Sequence, residues 1–292
     1  MSKGLLDPKV DFVFKNIFGS PNHPEILISF LNATLKAKKK IVNVDIKKTD
    51  IEKQYIEDKY SRLDVKATTS NDEIINIEIQ LKNENNMVKR SLYYLSKMYE
   101  EQLNEKEDYS KLARTVCINI LNFKYLKTDN FHTGYRFKEI ESNEELTDIM
   151  EVHFIEIPKL QDSSDEKDML VAWTEFLKDP ESEKVRGLEL SIEEIRQAKD
   201  ELIRMSNDST QRELYDMRAN SLRDKMSELN AAERKGIEKG REEGREEGRK
   251  EGIEEGRKEE KIEIARNMKL SGLDTNTIAK ITNLSEDEID KL

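Results

Sequence analysis

Hydrophobic positions change period several times along the chain. Residues 11–19 hold Phe12, Val13, Phe14, Ile17 and Phe18 at helical spacing and end at Gly19, which predicts a short helix followed by a turn at Pro21 and Pro24. A second helical pattern, with Ile26, Leu27, Phe30 and Leu31, covers 25–35. From residue 41 the period falls to two. Residues 41–46 alternate in part, and longer alternating runs occupy 60–68 and 74–82, as strands do. Met87 to Leu103 returns to helical spacing through Val88, Leu92, Leu95, Met98 and Tyr99. Residues 115–121 are almost continuously apolar, as expected of a strand buried on both faces. Two more runs, 135–140 and 152–157, read as strands, the second stopped by Pro158. The order strand, strand, strand, helix, strand predicts an α/β core.

Beyond residue 160 only helical signals remain. Residues 165–178 carry Met169, Leu170, Trp173, Phe176 and Leu177 and stop before Pro180; Ser191-Ile192-Glu193-Glu194 reads as a capping box opening another helix, and 210–232 is helical again. Glycines then recur at 236, 240, 244, 248, 252 and 256 among Arg, Lys and Glu. Each costs a helix about 1 kcal/mol relative to alanine, more than i,i+3 pairs such as Glu242 with Arg245 return. Either close packing on a partner helix holds this segment or it is a flexible charged linker. The first alternative predicts a homo-oligomer, a dimer, formed through the C-terminal helical region. In the last thirty residues, 275–282, the turn Asn283-Leu284 and 285–292 mimic a helix-turn-helix, with Ser285 and Glu288 as a capping box. The second helix carries Glu286, Asp287, Glu288 and Asp290, charges that a phosphate backbone repels; an isolated fragment is expected not to bind DNA.

Composition narrows the chemistry. The net charge is −11, unlike a general nucleic-acid binder, but residues 1–48 hold nine lysines against four acids, with a cluster at Lys36, Lys38, Lys39 and Lys40. A basic face on the N-terminal part therefore stays open beside the plainer reading of a solubility feature. The single cysteine, Cys117, sits in an apolar run and reads as a small buried side chain. His23, His132 and His153 are scattered without zinc spacing, so a hydrolase here would use carboxylates and a hard cation. No apolar stretch approaches a membrane span and no signal-like run follows Met1. The expectation is a soluble, cytoplasmic protein with no membrane partner.

The two long alternating runs carry the candidate chemistry. Around the turn at Ser70-Asn71-Asp72-Glu73, a hairpin would set Asp64 opposite Glu78. Odd positions of both runs are apolar; even positions carry Arg62, Asp64, Lys66, Asn76, Glu78, Gln80 and Lys82. Facing carboxylates on neighbouring strands repel unless a cation lies between them, which points to Mg²⁺ held by oxygen ligands. The alternative is an amphipathic hairpin with a solvated polar face, its acids neutralised by Lys66 and Lys82.

Four segments in this order, Asp7-Pro8-Lys9-Val10-Asp11-Phe12-Val13-Phe14-Lys15-Asn16-Ile17-Phe18-Gly19, Arg62-Leu63-Asp64-Val65, Asn76-Ile77-Glu78-Ile79-Gln80 and Arg90-Ser91-Leu92-Tyr93-Tyr94, resemble the Rpn family of recombination-promoting nucleases and transposase-like proteins, within the PD-(D/E)XK nuclease superfamily. The resemblance covers 5 to about 160, and the tail is similar too. It implies a restriction-endonuclease-like α/β core, a mixed sheet flanked by helices, with an α-helical C-terminal extension. The expected organisation is a nuclease domain at 1–160, a helical extension at 161–232, the glycine repeat at 233–260 as helix or linker, and a small helical module at 261–292. The implied activity is Mg²⁺-dependent DNA endonuclease, with Mn²⁺ able to substitute, associated with recombination, mobile elements or defence. Asp64 and Glu78 would ligate the metal with the backbone carbonyl of Ile79. Gln80 stands where the superfamily has its lysine; being uncharged, it leaves Lys82 as a substitute. Lys15, Arg62 and Arg90 would contact substrate, Arg90 at the scissile phosphate, and Asp11 would line the pocket. The Glu-x-Gln departure keeps a second class open: a catalytically decayed nuclease fold acting as a DNA-binding, assembly or regulatory factor.

Overall fold

A computed structural model describes residues 4–36, 39–47, 65–165 and 167–292, which divide into two compact units, 1–222 and 223–292. In the first, α1 (Asp11–Phe18) and α2 (Pro24–Leu35) precede strands β1 (Val44–Lys47), β2 (Val65–Thr69) and β3 (Ile74–Gln80). Then come α3 (Met87–Glu100), β4 (Thr115–Leu121), β5 (His132–Lys138) and β6 (Glu145–Glu156), followed by α4 (Met169–Lys178), α5 (Glu183–Glu189) and α6 (Glu193–Asn207). Gly19 closes α1 for a steric reason: a Cβ there would lie 2.6 Å from the Lys15 carbonyl oxygen.

The six described strands form one mixed sheet, ordered β1-β2-β3-β4-β6-β5. β1, β2 and β3 pair antiparallel, β4 runs parallel to both β3 and β6, and β5 closes the far edge antiparallel to β6. The hairpin register is the expected one, with Val65 opposite Ile77 and Lys66 opposite Asn76; Asp64 and Arg62 lie outside the described residues.

Strand alternation gives the sheet two different faces. Val65, Ala67, Ile75, Ile77, Ile79, Val116, Ile118 and Ile120 join residues of α1, α2, α4, α5 and α6 in one apolar core. Phe18 anchors it, stacked on Phe14 at 4.6 Å and edge-on to Trp173 at 5.3 Å. Helices α4 to α6 are thus part of the core that covers this face. The opposite face lies under α3, where Met87 and Leu95 meet Cys117, Leu121, Val152 and Phe154.

Several expectations need correction. β1 begins at Val44 rather than 41, β5 spans 132–138 rather than 135–140, and β6 extends to twelve residues by starting at Glu145. Ser191 caps nothing: its hydroxyl donates to the Leu188 carbonyl at the end of α5, and α6 starts from Ile192 without a side-chain cap. Helix α5, which the periodicity did not reveal, is opened by the Ser182 hydroxyl accepting the Val185 N–H.

Helix α7 runs from Ser209 to Leu270 and includes the whole glycine repeat, so that segment is helix rather than flexible linker. A Cβ added at any of the six repeat glycines would meet nothing within 4 Å. In the second unit the last turns of α7 gather with α8 (Thr275–Thr282) and α9 (Glu286–Asp290) around Ala265, Ile278, Leu284 and Ile289. Gly272, at φ +84°, makes the turn after α7, and Ser285 and Glu288 form the expected capping box. No described helix is long and apolar enough to cross a membrane.

Candidate active site

The alternation of β3 sends Asn76 and Glu78 to the α3 side. The alternative reading of a solvated polar face does not hold for these two residues: both side chains are completely buried, with α3 lying across this side of the sheet. Glu78 accordingly meets groups on α3 rather than water. Arg90, in the first turn of α3, places Nε 3.1 Å from Glu78 Oε1 and brings Nη2 onto the same oxygen. Gln80, two residues along the strand, donates its amide to Oε1 at 3.1 Å. The other oxygen, Oε2, is buried and has no hydrogen-bond partner among the described residues. Burial pushes the Glu78 carboxyl above the usual carboxylate range, and Arg90 and Gln80 offset this only in part. For Arg90 burial works against the charge, but the Glu78 carboxylate outweighs it and holds the guanidinium more firmly protonated.

A polar layer unforeseen from the sequence continues from Glu78 across the sheet. Asn119, the β4 partner of Glu78, lies with its Oδ1 2.9 Å from the Ser91 hydroxyl of α3, and its amide donates to the His153 carbonyl at 3.1 Å. Asn76 stands beside Cys117 in the neighbouring rung, its Oδ1 buried without a partner among the described residues. The available signal was Asn119 itself, the one polar residue in the apolar run from Val116 to Leu121.

The structure therefore brings Glu78, Gln80 and Arg90 together. Lys82 follows β3 in a bend and is half-buried; Ile79 turns its side chain into the apolar core. Lys15 is on α1, and Asp11 ion-pairs with Arg218 of α7 at 3.0 Å. Lys66, proposed to neutralise the acids, is 4.0 Å from Glu101. Two of the histidines are not scattered: His132 Nε2 lies 2.9 Å from His153 Nδ1, and His153 Nε2 is 2.7 Å from Glu151.

The donor set fits a hard divalent cation in one respect. A buried carboxylate oxygen without a hydrogen-bond donor carries an unmet electrostatic demand, and Glu78 Oε2 is such an oxygen. Among the described residues no group of three or more His, Cys, Asp or Glu side chains could hold a metal; of the expected ligands, Glu78 and Ile79 are described and Asp64 is not.

Comparison with known proteins agrees with this architecture. Residues 8–232 match the model of the PD-(D/E)XK nuclease family transposase, and residues 258–292 match the C-terminal HTH domain of the Rpn/YhgA-like nuclease family. No curated protein matches the chain, and no solved structure does. With most of its length under the first of these models, a mixed sheet flanked by helices and a C-terminal helix-turn-helix unit, the chain belongs to the PD-(D/E)XK nuclease family of transposase-like proteins.

Proposed function

We propose that the chain is a Mg²⁺-dependent DNA endonuclease whose site is built on Glu78 and Asp64. The observation that carries this reading is the Glu78 carboxylate, buried on β3 with one oxygen fixed by Arg90 and Gln80 and the other without a partner among the described residues. Asp64, Glu78 and the Ile79 carbonyl would hold the metal, with Mn²⁺ able to replace Mg²⁺. The cation would supply Lewis acidity toward the phosphate and lower the pKa of a bound water. Gln80 gives one of its two amide N–H groups to Glu78, and its carbonyl oxygen would accept from a water and orient it. Lys82, Lys15 and Arg62 contribute positive charge toward the phosphate backbone. The match to an HTH domain supports DNA as the substrate class, against the expectation drawn from the acidic second helix of that unit. Self-association through the exposed glycine repeat of α7 completes the proposal, in a soluble cytoplasmic protein; light scattering of the full chain against one ending at 232 tests it, and identical oligomeric states would refute it.

Incubation of the purified protein with supercoiled plasmid and divalent ions tests the activity. Nicking that requires Mg²⁺ or Mn²⁺, stops in EDTA and is lost in Asp64→Ala and Glu78→Gln supports the assignment; nicking retained in both variants refutes it. One observation favours a second reading. Arg90 already supplies a positive charge to Glu78, as it would in a decayed nuclease fold that has exchanged its metal for an internal ion pair. Calorimetric titration of Mg²⁺ into the protein saturated with a short duplex separates the two, since only an intact site takes up metal in a Glu78-dependent way.

A further inference from the structure

All the donors around Glu78 converge on one oxygen. Nε and Nη2 of Arg90 and Nε2 of Gln80 are bonded to Oε1, while Oε2 has no partner among the described residues. A guanidinium fixed permanently on a carboxylate gains most by forking across both oxygens in two parallel bonds. Arg90 does not do so. Its side chain also keeps 19% of its surface exposed, against 0% for Glu78, and its Cζ lies 5.4 Å from the centre of the Tyr94 ring. The pair joins a carboxylate that cannot leave to a cation with a route to solvent.

We propose that Arg90 is an exchangeable counter-ion, which occupies Glu78 in the nucleic-acid-free protein and is drawn off by a phosphodiester, opening the carboxylate to a divalent cation. The guanidinium fork matches the phosphate oxygens as well as it matches a carboxylate, and its departure removes the positive charge that repels the metal. Metal and DNA then bind cooperatively, and the free protein takes up metal weakly. This inference rests on the reading of Glu78 as a metal ligand.

The test is Mn²⁺ binding to the full-length protein, followed by electron paramagnetic resonance of the free ion. It is read alone and with a saturating short duplex, after subtraction of the Mn²⁺ held by duplex alone. In the wild type the duplex tightens Mn²⁺ binding by about tenfold, within the usual range of coupling between sites. Arg90→Gln binds Mn²⁺ about tenfold more tightly than wild type without DNA, and the duplex adds less than about twofold. Equal or weaker Mn²⁺ binding by this variant, with a wild-type circular dichroism spectrum, overturns the proposal; so does an equal duplex effect in both proteins. If Arg90→Gln does not fold, Arg90→Lys carries the test: an ammonium offers no fork, so coupling falls while metal binding alone stays weak, and full coupling overturns the proposal. Glu78→Gln tells the two levels apart. Undiminished Mn²⁺ binding there removes the metal-ligand reading itself, whereas loss of binding there with an unchanged Arg90→Gln removes only the exchange.

Discussion

Glu78 on β3 and Glu151 on β6 are both buried acids, yet the fold treats them in opposite ways. Glu151 is surrounded: Arg114 and Arg136 reach Oε2, and His153 Nε2 lies 2.7 Å from Oε1. Burial works against its charge, but His153 and the two arginines outweigh it and hold the carboxyl at about 2. Glu78 has one guanidinium and one amide on a single oxygen, and its carboxyl is pushed up. Glu151 is satisfied on every side, as a structural carboxylate is; Glu78 keeps an oxygen short of donors among the described residues, which is what the proposed metal site requires.

The strongest way to break this contrast is catalytic. Asp64→Ala and Glu78→Gln should each reduce plasmid nicking by more than about a hundredfold, since even outer-shell changes at metal sites cost 10–100-fold, whereas Glu151→Gln at a permissive temperature should nick normally. Stability should show the reverse order. Glu151→Gln takes from Arg114, Arg136 and His153 the buried carboxylate they share and leaves the arginines only Glu73 and Glu145; it should cost about 3 kcal/mol in urea unfolding. Glu78→Gln removes a charge that burial disfavours but also takes the carboxylate from Arg90; the two effects oppose, and the variant should lie within about 2 kcal/mol of wild type.

Acid titration sharpens the same comparison on the Glu151 side. His132 is lowered to about 4, first by burial and then by the neighbouring His153. Between its unfolded value near 6.5 and 4 the unfolded chain binds the extra proton, so stability falls as pH falls through that window, by about 2–3 kcal/mol. Glu151, depressed to about 2, adds a further loss as pH drops below about 4.5. Thermal unfolding of His132→Gln should lack the first loss and keep the second; an unchanged profile above pH 4.5 would show that His132 is not its source.

Much of this was legible in the chain. β4 coincides with the apolar run 115–121, and the hairpin register follows from the turn position and parity. What escaped was the second side of the sheet. Alternation within β3 reads Asn76, Glu78 and Gln80 as a polar face, and local sequence does not say that a helix beginning at Met87 will lie over it. The His132–His153 contact was hidden for a related reason: it depends on β5 pairing with β6, a pairing of weakly patterned strands broken by register shifts near Tyr135 and Phe137. Ser191 illustrates competition between neighbours, its hydroxyl taken by the preceding helix before it could serve the next.

The smallest effect expected concerns the second unit. Glu286 and Asp287 make the first turn of α9 acidic, and replacing both by lysine should tighten DNA binding severalfold at low salt and steepen its salt dependence, each new phosphate contact adding about one to the slope. An unchanged slope would mean that α9 does not face the phosphate backbone.

Cys117 offers a means of watching the polar layer open. It is the only cysteine, fully buried beside Asn76 and Asn119, and burial pushes its thiol up to about 12. In the native state it is therefore silent toward alkylating reagents, which attack the thiolate. Its slow modification under native conditions would measure how often α3 lifts from the sheet, a local opening free energy read from a single atom. A cysteine introduced at an exposed position would meanwhile be the only fast-reacting thiol in the molecule, so a spectroscopic label could be attached without altering the natural sequence anywhere else.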